Sequence, residues 1–401
     1  MGGPEASPCT LPARAWWDDR LVASTTGAVR VDQEGEAPTL WFPAADVHFE
    51  QGRADGGHHD TPVGTAETWS IDGTPSLLRT LTEPASGFES LRGWASFDHD
   101  RARVELVDGA TVKRFPTWGD AADLIDLLDV RPTGEGGYVS VARADWRRPV
   151  TDGSQMLAQV LVAASRHTAG RRAVSAHMVF MRAADARRPL RFDLQELSTG
   201  RNFTSLAAHV SQQGRGCAHG TLLLDATAPD VIRHEVERPD VPGPDASEPY
   251  DMSVTGRDLR IVDGAYSGDP DAPAGPPVLD AWVRFRDVPD DPALHAALLA
   301  QFTGHLSIAA GLRPHEGIGQ RQAHRTLSTA INAIALSLHA DVRADRWMLY
   351  RHRSTFAGDG MTHAECRVHD EDGSLLASFS VDAMVRRFAM GGPAADDRTA
   401  L

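Results

Sequence analysis

The chain of 401 residues contains a single lysine, Lys113; its remaining basic side chains are arginine. That scarcity is the composition of a GC-rich genome. It also restricts the chemistry, because Lys113 is the one candidate for a Schiff base and no Gly-x-x-x-x-Gly-Lys phosphate loop exists. Cysteine is scarce as well. Cys9, Cys217 and Cys366 are too few and too scattered for a disulfide framework, which points to a reducing cytoplasm. No apolar run reaches the roughly 18 residues that a membrane helix needs. The stretch MGGPEASPCTLPARAWW lacks a basic segment followed by an apolar one, so it does not read as a secretory signal. A Gly-x-Ser-x-Gly elbow is absent, which counts against α/β-hydrolase chemistry.

What is present is ordinary globular material, 41% hydrophobic and 24% charged, in a length that suggests two or three domains. A formal net charge of −15 disfavours nucleic acid, whose phosphates demand a basic face. Neither a nucleic acid nor a membrane is expected as a partner. His58-His59-Asp60 is the one metal-like run; it sits in a Gly-rich stretch without further ligands at sensible spacing, so no metal site is expected. No cofactor is implied either.

Residues 1–115 read as a small, mainly β domain with short strand-like runs such as Arg20–Ser24, Ala28–Val31 and Ala66–Ile71. Val47 to Thr61 is polar and rich in Gly and His, and reads as a loop. Residues 116–131 read as a linker helix with Trp118, Ile125 and Leu128 on one face. Residues 132–234 then carry a helix over about 154–168, apolar on nearly every side except Gln155 and Gln159, followed by four strands. After a Pro- and acid-rich linker at 235–255, residues 256–390 repeat that plan, with a helix over about 293–310 and strands near 325–339, 346–356, 361–369 and 374–387. Residues 391–401 read as a flexible tail. The fold class expected is α+β: two long helices, each wrapped by an antiparallel sheet, after an N-terminal β domain. Function is expected at the seam between the copies.

Several short motifs in order resemble the acyl-CoA thioesterase II family, whose members are double hot-dogs. Gly153-Ser-Gln-Met-Leu-Ala-Gln159 is similar to the family's Gly-Gly-Gln-x-x-x-Gln helix start. Ser175-Ala-His-Met-Val-Phe-Met-Arg182 resembles its His-Ser-x-His-x-x-Phe-x-Arg strand, and Gly200-Arg-Asn-Phe203 its Gly-x-Ser-Phe turn. The second half adds Trp282–Arg286, Pro314-His315, His339 before Trp347–Tyr350, and Asp372–Ser378 before Met384-Val-Arg386. The resemblance spans about residues 130–388. The first domain resembles a small bacterial domain of unknown function, sometimes labelled nucleotidyltransferase-like, through Leu40–Val47, Gly64–Ser70 and Gly93–Phe97.

The resemblance implies an acyl-CoA thioester as ligand, in lipid metabolism, and an Asp, a Ser or Thr, and a Gln that set a water against the thioester. Counted back ten from Pro314, the Asp position is Gly304; ungapped reading from His339 puts the Thr position at Ile331; the Gln position is Val381. A shift of two residues brings in Thr329. His305 beside Gly304 is the candidate general base, since imidazole titrates near neutrality, or else a hydrogen-bonded structural residue. Gln155, Gln159 and Gln212, the last matching Val381 in the first copy, are read as substrate-binding together with Gly304, Ile331 and Val381, or else as buried amides on backbone. Arg171-Arg172 and Arg187-Arg188 are candidates for coenzyme A phosphates. Two activities stay open: hydrolysis of an acyl-CoA thioester, or binding of an acyl ligand without turnover, as a sensor or scaffold. A homo-oligomer built through the hot-dog sheets is a third expectation.

Overall fold

The computed structural model describes residues 4–9, 11–33, 38–48, 52–99, 101–108, 111–115, 121–134, 136–142, 150–168, 170–250, 257–266, 271–286, 288–323 and 326–387. The tail expected at 391–401, residues 116–120 of the linker helix and residues 251–255 of the second linker lie outside these. Contacts divide the chain into two units, residues 1–123 with 251–256, and residues 124–250 with 257–401.

The first unit is built from strands. Among the described residues a seven-stranded sheet runs in the order Glu5–Pro8, Val29–Asp32, Thr39–Phe42, Ala95–Phe97, Thr74–Pro84, Gly64–Ile71 and Arg53–Thr61. A four-stranded sheet runs Thr111–Phe115, Arg103–Asp108, Ala13–Trp17 and Arg20–Thr25. Phe42, Leu77, Leu78, Phe97 and Phe115 form one core, and Trp41, Val63, Leu81 and Leu91 a second. The loop expected at Val47 to Thr61 is corrected: Arg53–Thr61 is an edge strand, although its seven residues other than Gly57 and Thr61 are exposed. Backbone pairing to the next strand holds it. Asp55 adds an anchor, accepting hydrogen bonds from the Thr68 hydroxyl and from the Ser76 amide at 2.9 Å. The Thr68 bond, foremost, holds the Asp55 carboxyl down at about 2.

Among the described residues, the second unit contains one continuous antiparallel sheet of thirteen strands. Its principal strands are β1 (Arg172–Phe180), β2 (Arg191–Thr199), β3 (Phe203–Gln212), β4 (Arg215–Asp225), β5 (Arg257–Ile261), β6 (Val278–Phe285), β7 (Leu327–Leu338), β8 (Met348–Gly358), β9 (Met361–Asp370) and β10 (Leu375–Arg387). Short strands at Arg131–Gly134, Gly137–Val139 and Glu248–Pro249 complete it. Outward from the middle, the first half runs β1, β4, β3, β2, and the second runs β7, β10, β9, β8. In each half the strand after the helix stands at the centre and the last strand is beside it. The same order twice is the duplication read from the sequence. The halves meet where β1 pairs with β7, Ser175 opposite Ser337 through Val179 opposite Ala333.

Helices cover one face of this sheet. The first, α1 (Gly153–His167), is buried from Ser154 through Ala164, as its all-round apolar sequence requires. Gly153 is needed at its start, because a Cβ there would lie 2.8 Å from Phe180 Cδ2 of β1. In the second half, Asp291 caps α2 (Pro292–Phe302), its carboxylate accepting from the Ala293 amide at 2.9 Å, with Pro292 at the first helical position. The single long helix expected over 293–310 is corrected. It stops after eleven residues, and a six-residue helix, α3 (Ser307–Leu312), follows. Thr303 donates its amide and hydroxyl to Ala300 O, His305 N donates to Phe302 O, and Leu306 takes φ 66. Such a left-handed leucine costs about 1–2 kcal/mol. Burial of Leu306 and the hydrogen bond of Ser307 to His352 hold it there. Among the described residues the unit is thus mostly sheet, with one long helix, one broken one and the end of a short helix, Ala121–Leu128.

Candidate ligand site at the helix seam

Helices α1 and α2 pack side by side, and the break after α2 lies where they and β7 converge. Gly304 sits in that break. A Cβ on it would stand 2.3 Å from Ser154 Oγ, 2.8 Å from Ser154 Cβ and 3.2 Å from Ile331 Cδ1. The chain therefore brings Gly304, Ile331 and the first residues of α1 together. Thr329 and Ile331 alternate onto the same face of β7, Thr329 being buried. Val381 is also buried, on the neighbouring β10, where Ala383 is the partner of Ile331 and Val381 that of Ile334.

The amides divide. Gln159 is fully buried on α1, donates Nε2 to Leu127 O at 2.9 Å, and leaves Oε1 without a partner. Gln155 is buried one turn earlier. Gln212 is elsewhere: Oε1 accepts from Asp185 N at 2.8 Å, while Nε2 donates to Asp185 O at 2.8 Å and Arg188 O at 3.0 Å. That amide is saturated by the turn at 185–188, which corrects its reading as a substrate contact. Of the arginine pairs, Arg171 is bonded to Gly200 O, and Arg187 and Arg188 are paired with Asp185.

His305 stacks on Phe302, ring centroids 4.8 Å apart and planes within 1°. Its Nδ1 is sealed and unpartnered. Burial, and then the charge of Arg257, push its pKa down to about 3. A ring held neutral so far below neutrality is a weak proton acceptor. Arg257 itself lies 5.3 Å over the Phe302 ring, and Tyr350 meets that ring edge-on at 4.9 Å while donating its hydroxyl to Leu299 O at 3.0 Å.

Beneath α3 lies a buried cluster that sequence reasoning missed. Ser307 Oγ is 3.1 Å from His352 Nδ1, and Cys366 Sγ is 3.4 Å from the same nitrogen. Burial lowers His352 to about 3 and pushes Cys366 up to about 12. At neutral pH the imidazole and the thiol are both uncharged. Their separations of 45 and 14 residues left no local signal; strand register sets His352 opposite Cys366, and packing of α3 on the sheet brings in Ser307. Five of the buried polar atoms without partners lie on the packed helices, the break and β7: Ser154 Oγ, Gln159 Oε1, Gln301 Oε1, His305 Nδ1 and Asn332 Oδ1. Among the described residues no three His, Cys, Asp or Glu side chains gather as a metal requires, and no helix is long and apolar enough to cross a membrane.

Comparison with known proteins places these elements. Residues 142–224 match the acyl-CoA thioesterase N-terminal domain, residues 233–384 the acyl-CoA thioesterase C-terminal domain, and residues 5–108 a domain of unknown function (DUF427). Acyl-coenzyme A thioesterase 8 of Mus musculus is 24% identical over 259 residues, 58% of this chain and 79% of that protein. Acyl-CoA thioesterase 2 of Haemophilus influenzae is 24% identical over 252 residues, 58% of this chain and 87% of its own. The structure of an acyl-CoA thioesterase II, TesB2, from Mycobacterium marinum superposes with a TM-score of 0.56 at 24% identity, covering 67% of this chain and 99% of that one. A hot-dog protein of unknown function from Alicyclobacillus acidocaldarius gives 0.54 at 17% identity, covering 66% and 98%. The chain belongs to the acyl-CoA thioesterase II family, through a pair of hot-dog domains preceded by a β domain of unknown function.

Proposed function

We propose that this protein holds an acyl-CoA thioester at the helix seam with hydrolysis strongly reduced. The observation that carries the reading is Gly304. It stands at the family's Asp position without a carboxylate, and Ser154 occupies the space where a longer side chain would go. Ile331 and Val381, at the Thr and Gln positions, offer no hydrogen bond. His305 and Thr329 are the remaining candidates for attack. The first is depressed to about 3, and the second is buried, 2% exposed. General-base help is worth about 10²–10⁴-fold, and its loss alone separates a working hydrolase from a binder.

Binding has its own support. A buried polar atom without a partner costs about 1–3 kcal/mol. The acceptors Gln159 Oε1, Gln301 Oε1 and Asn332 Oδ1 are of that kind, and the pantetheine arm of coenzyme A carries amide N–H groups that would satisfy them. Residual hydrolysis is the second reading, favoured by the thioesterase activity named for the mouse and Haemophilus relatives. A panel of acyl-CoAs of graded chain length, followed by free-thiol detection and by thermal shift, tests the proposal. The expected result is a concentration-dependent rise in Tm, as for any ligand that binds the native state alone, with no thiol above background. Thiol release at several turnovers per second, or no shift at all, overturns it.

A further inference from the structure

The face of the sheet away from the helices carries chemistry that the seam does not use. A trough of about 620 Å³ runs across the middle strands of both halves. Hydroxyls of Ser175, Ser205, Thr221, Ser337, Ser378 and Ser380 line it. Ser378 lies between Ala377 and Phe379, which are buried on the helix side, so alternation turns its hydroxyl to the open face. There Ser378 Oγ is 3.0 Å from His339 Nε2, inside the range for a nucleophile and its base. Burial holds the His339 pKa below its usual value, so near neutral pH the ring is uncharged and accepts the hydroxyl proton. Register sets Arg367 of β9 directly across from Ser378 on one side and Ser337 of β7 on the other. Side chains so opposed have Cβ atoms about 4.5–5.5 Å apart, which puts a guanidinium within reach of an oxyanion forming at Ser378.

We propose that Ser378, His339 and Arg367 form a second reactive site, on the open face of the sheet, for cleaving small carboxylic esters. It is independent of the helix seam. Ser378 Oγ bonds to the ester carbonyl carbon as its proton passes to His339 Nε2, and the carbonyl oxygen gains its negative charge beside Arg367. Collapse breaks the bond between that carbon and the alcohol oxygen, which leaves with the proton from His339. Water then attacks the acyl-serine, His339 takes and returns a proton in the same way, and the acid departs with Ser378 restored.

The full chain incubated with p-nitrophenyl acetate tests this. Released nitrophenolate gives the rate, and peptide mass analysis of a short-time quench locates the acetyl group. Turnover above buffer is expected, with acetyl on Ser378. Ser378→Ala should fall to the buffer rate and lose the adduct. His339→Gln should fall about 10²-fold or more. Arg367→Met should lower kcat more than it raises KM, which a merely structural arginine would not do. Melting temperatures of the variants show whether each is folded. No turnover by the wild type, an acetyl group on another residue, or a folded Ser378→Ala with undiminished rate overturns the site.

Discussion

Gly304→Ala probes the closed space beside α1 directly. The new methyl would meet Ser154 Oγ at 2.3 Å, Ser154 Cβ at 2.8 Å and Ile331 Cδ1 at 3.2 Å. The nearest pair belongs to a fully buried serine on a packed helix, so neither side gives way freely. Overpacking of this kind costs about 1–3 kcal/mol. Ser154→Gly removes both offending atoms and by itself costs about 0.5 kcal/mol in helix propensity. In the double variant most of the Gly304→Ala penalty should disappear, a coupling of about 1–2 kcal/mol. Urea unfolding of the four proteins, followed at the transition of the thioesterase-family unit, measures it. Additivity within about 0.5 kcal/mol would show that Ser154 does not fill the space at Gly304. It would also remove the reason why an aspartate could not stand there.

Three further outcomes follow from the same half of the chain. His352 is held at about 3 against an ordinary 6.5, so its contribution to stability is complete above 6.5 and lost as pH falls toward 3. Between pH 7 and 5 this amounts to about 2 kcal/mol, and melting curves across that range should lose the corresponding slope in His352→Gln. Tyr350→Phe deprives Leu299 O of its hydroxyl partner and should cost about 1–3 kcal/mol by urea unfolding. Trp282 donates Nε1 to Pro242 O at 2.9 Å, and Arg238 lies 5.5 Å over its ring. Trp282→Phe should therefore loosen the connecting segment, with faster limited proteolysis between Val231 and Pro242.

The sequence was most legible where one face of an element is buried and the other is not. Phe203–Gln212 alternates and forms the strand read for it. The run after Asp152, apolar on nearly every side, was legible for the other reason, that a helix buried all round needs such a run, and it forms α1. Arg53–Thr61 was illegible because an edge strand with exposed polar side chains is held by backbone pairing, which leaves no hydrophobic trace. The break at Thr303–Leu306 was hidden for a different reason. Gly304 weakens a helix only by about 1 kcal/mol, and the close approach of Ser154 and the bond from Ser307 to His352 are tertiary facts. Of the candidate site residues, Gly304 and Ile331 lie close together. Gln212 does not join them, since the turn at 185–188 claims its amide. The Ser307–His352 and Ser378–His339 pairs span 45 and 39 residues; packing of α3 on β8 makes the first pair neighbours, and the pairing of β7 with β10 the second.

The most direct measurement is a crystal structure of the chain with an acyl-CoA analogue whose thioester is replaced by an uncleavable thioether. The analogue is expected along α1 and α2, its amide N–H groups on Gln159, Gln301 or Asn332 and its sulfur near Gly304. An analogue seated on the open face of the sheet, or a crystal without it at saturating concentration, would contradict binding at the helix seam.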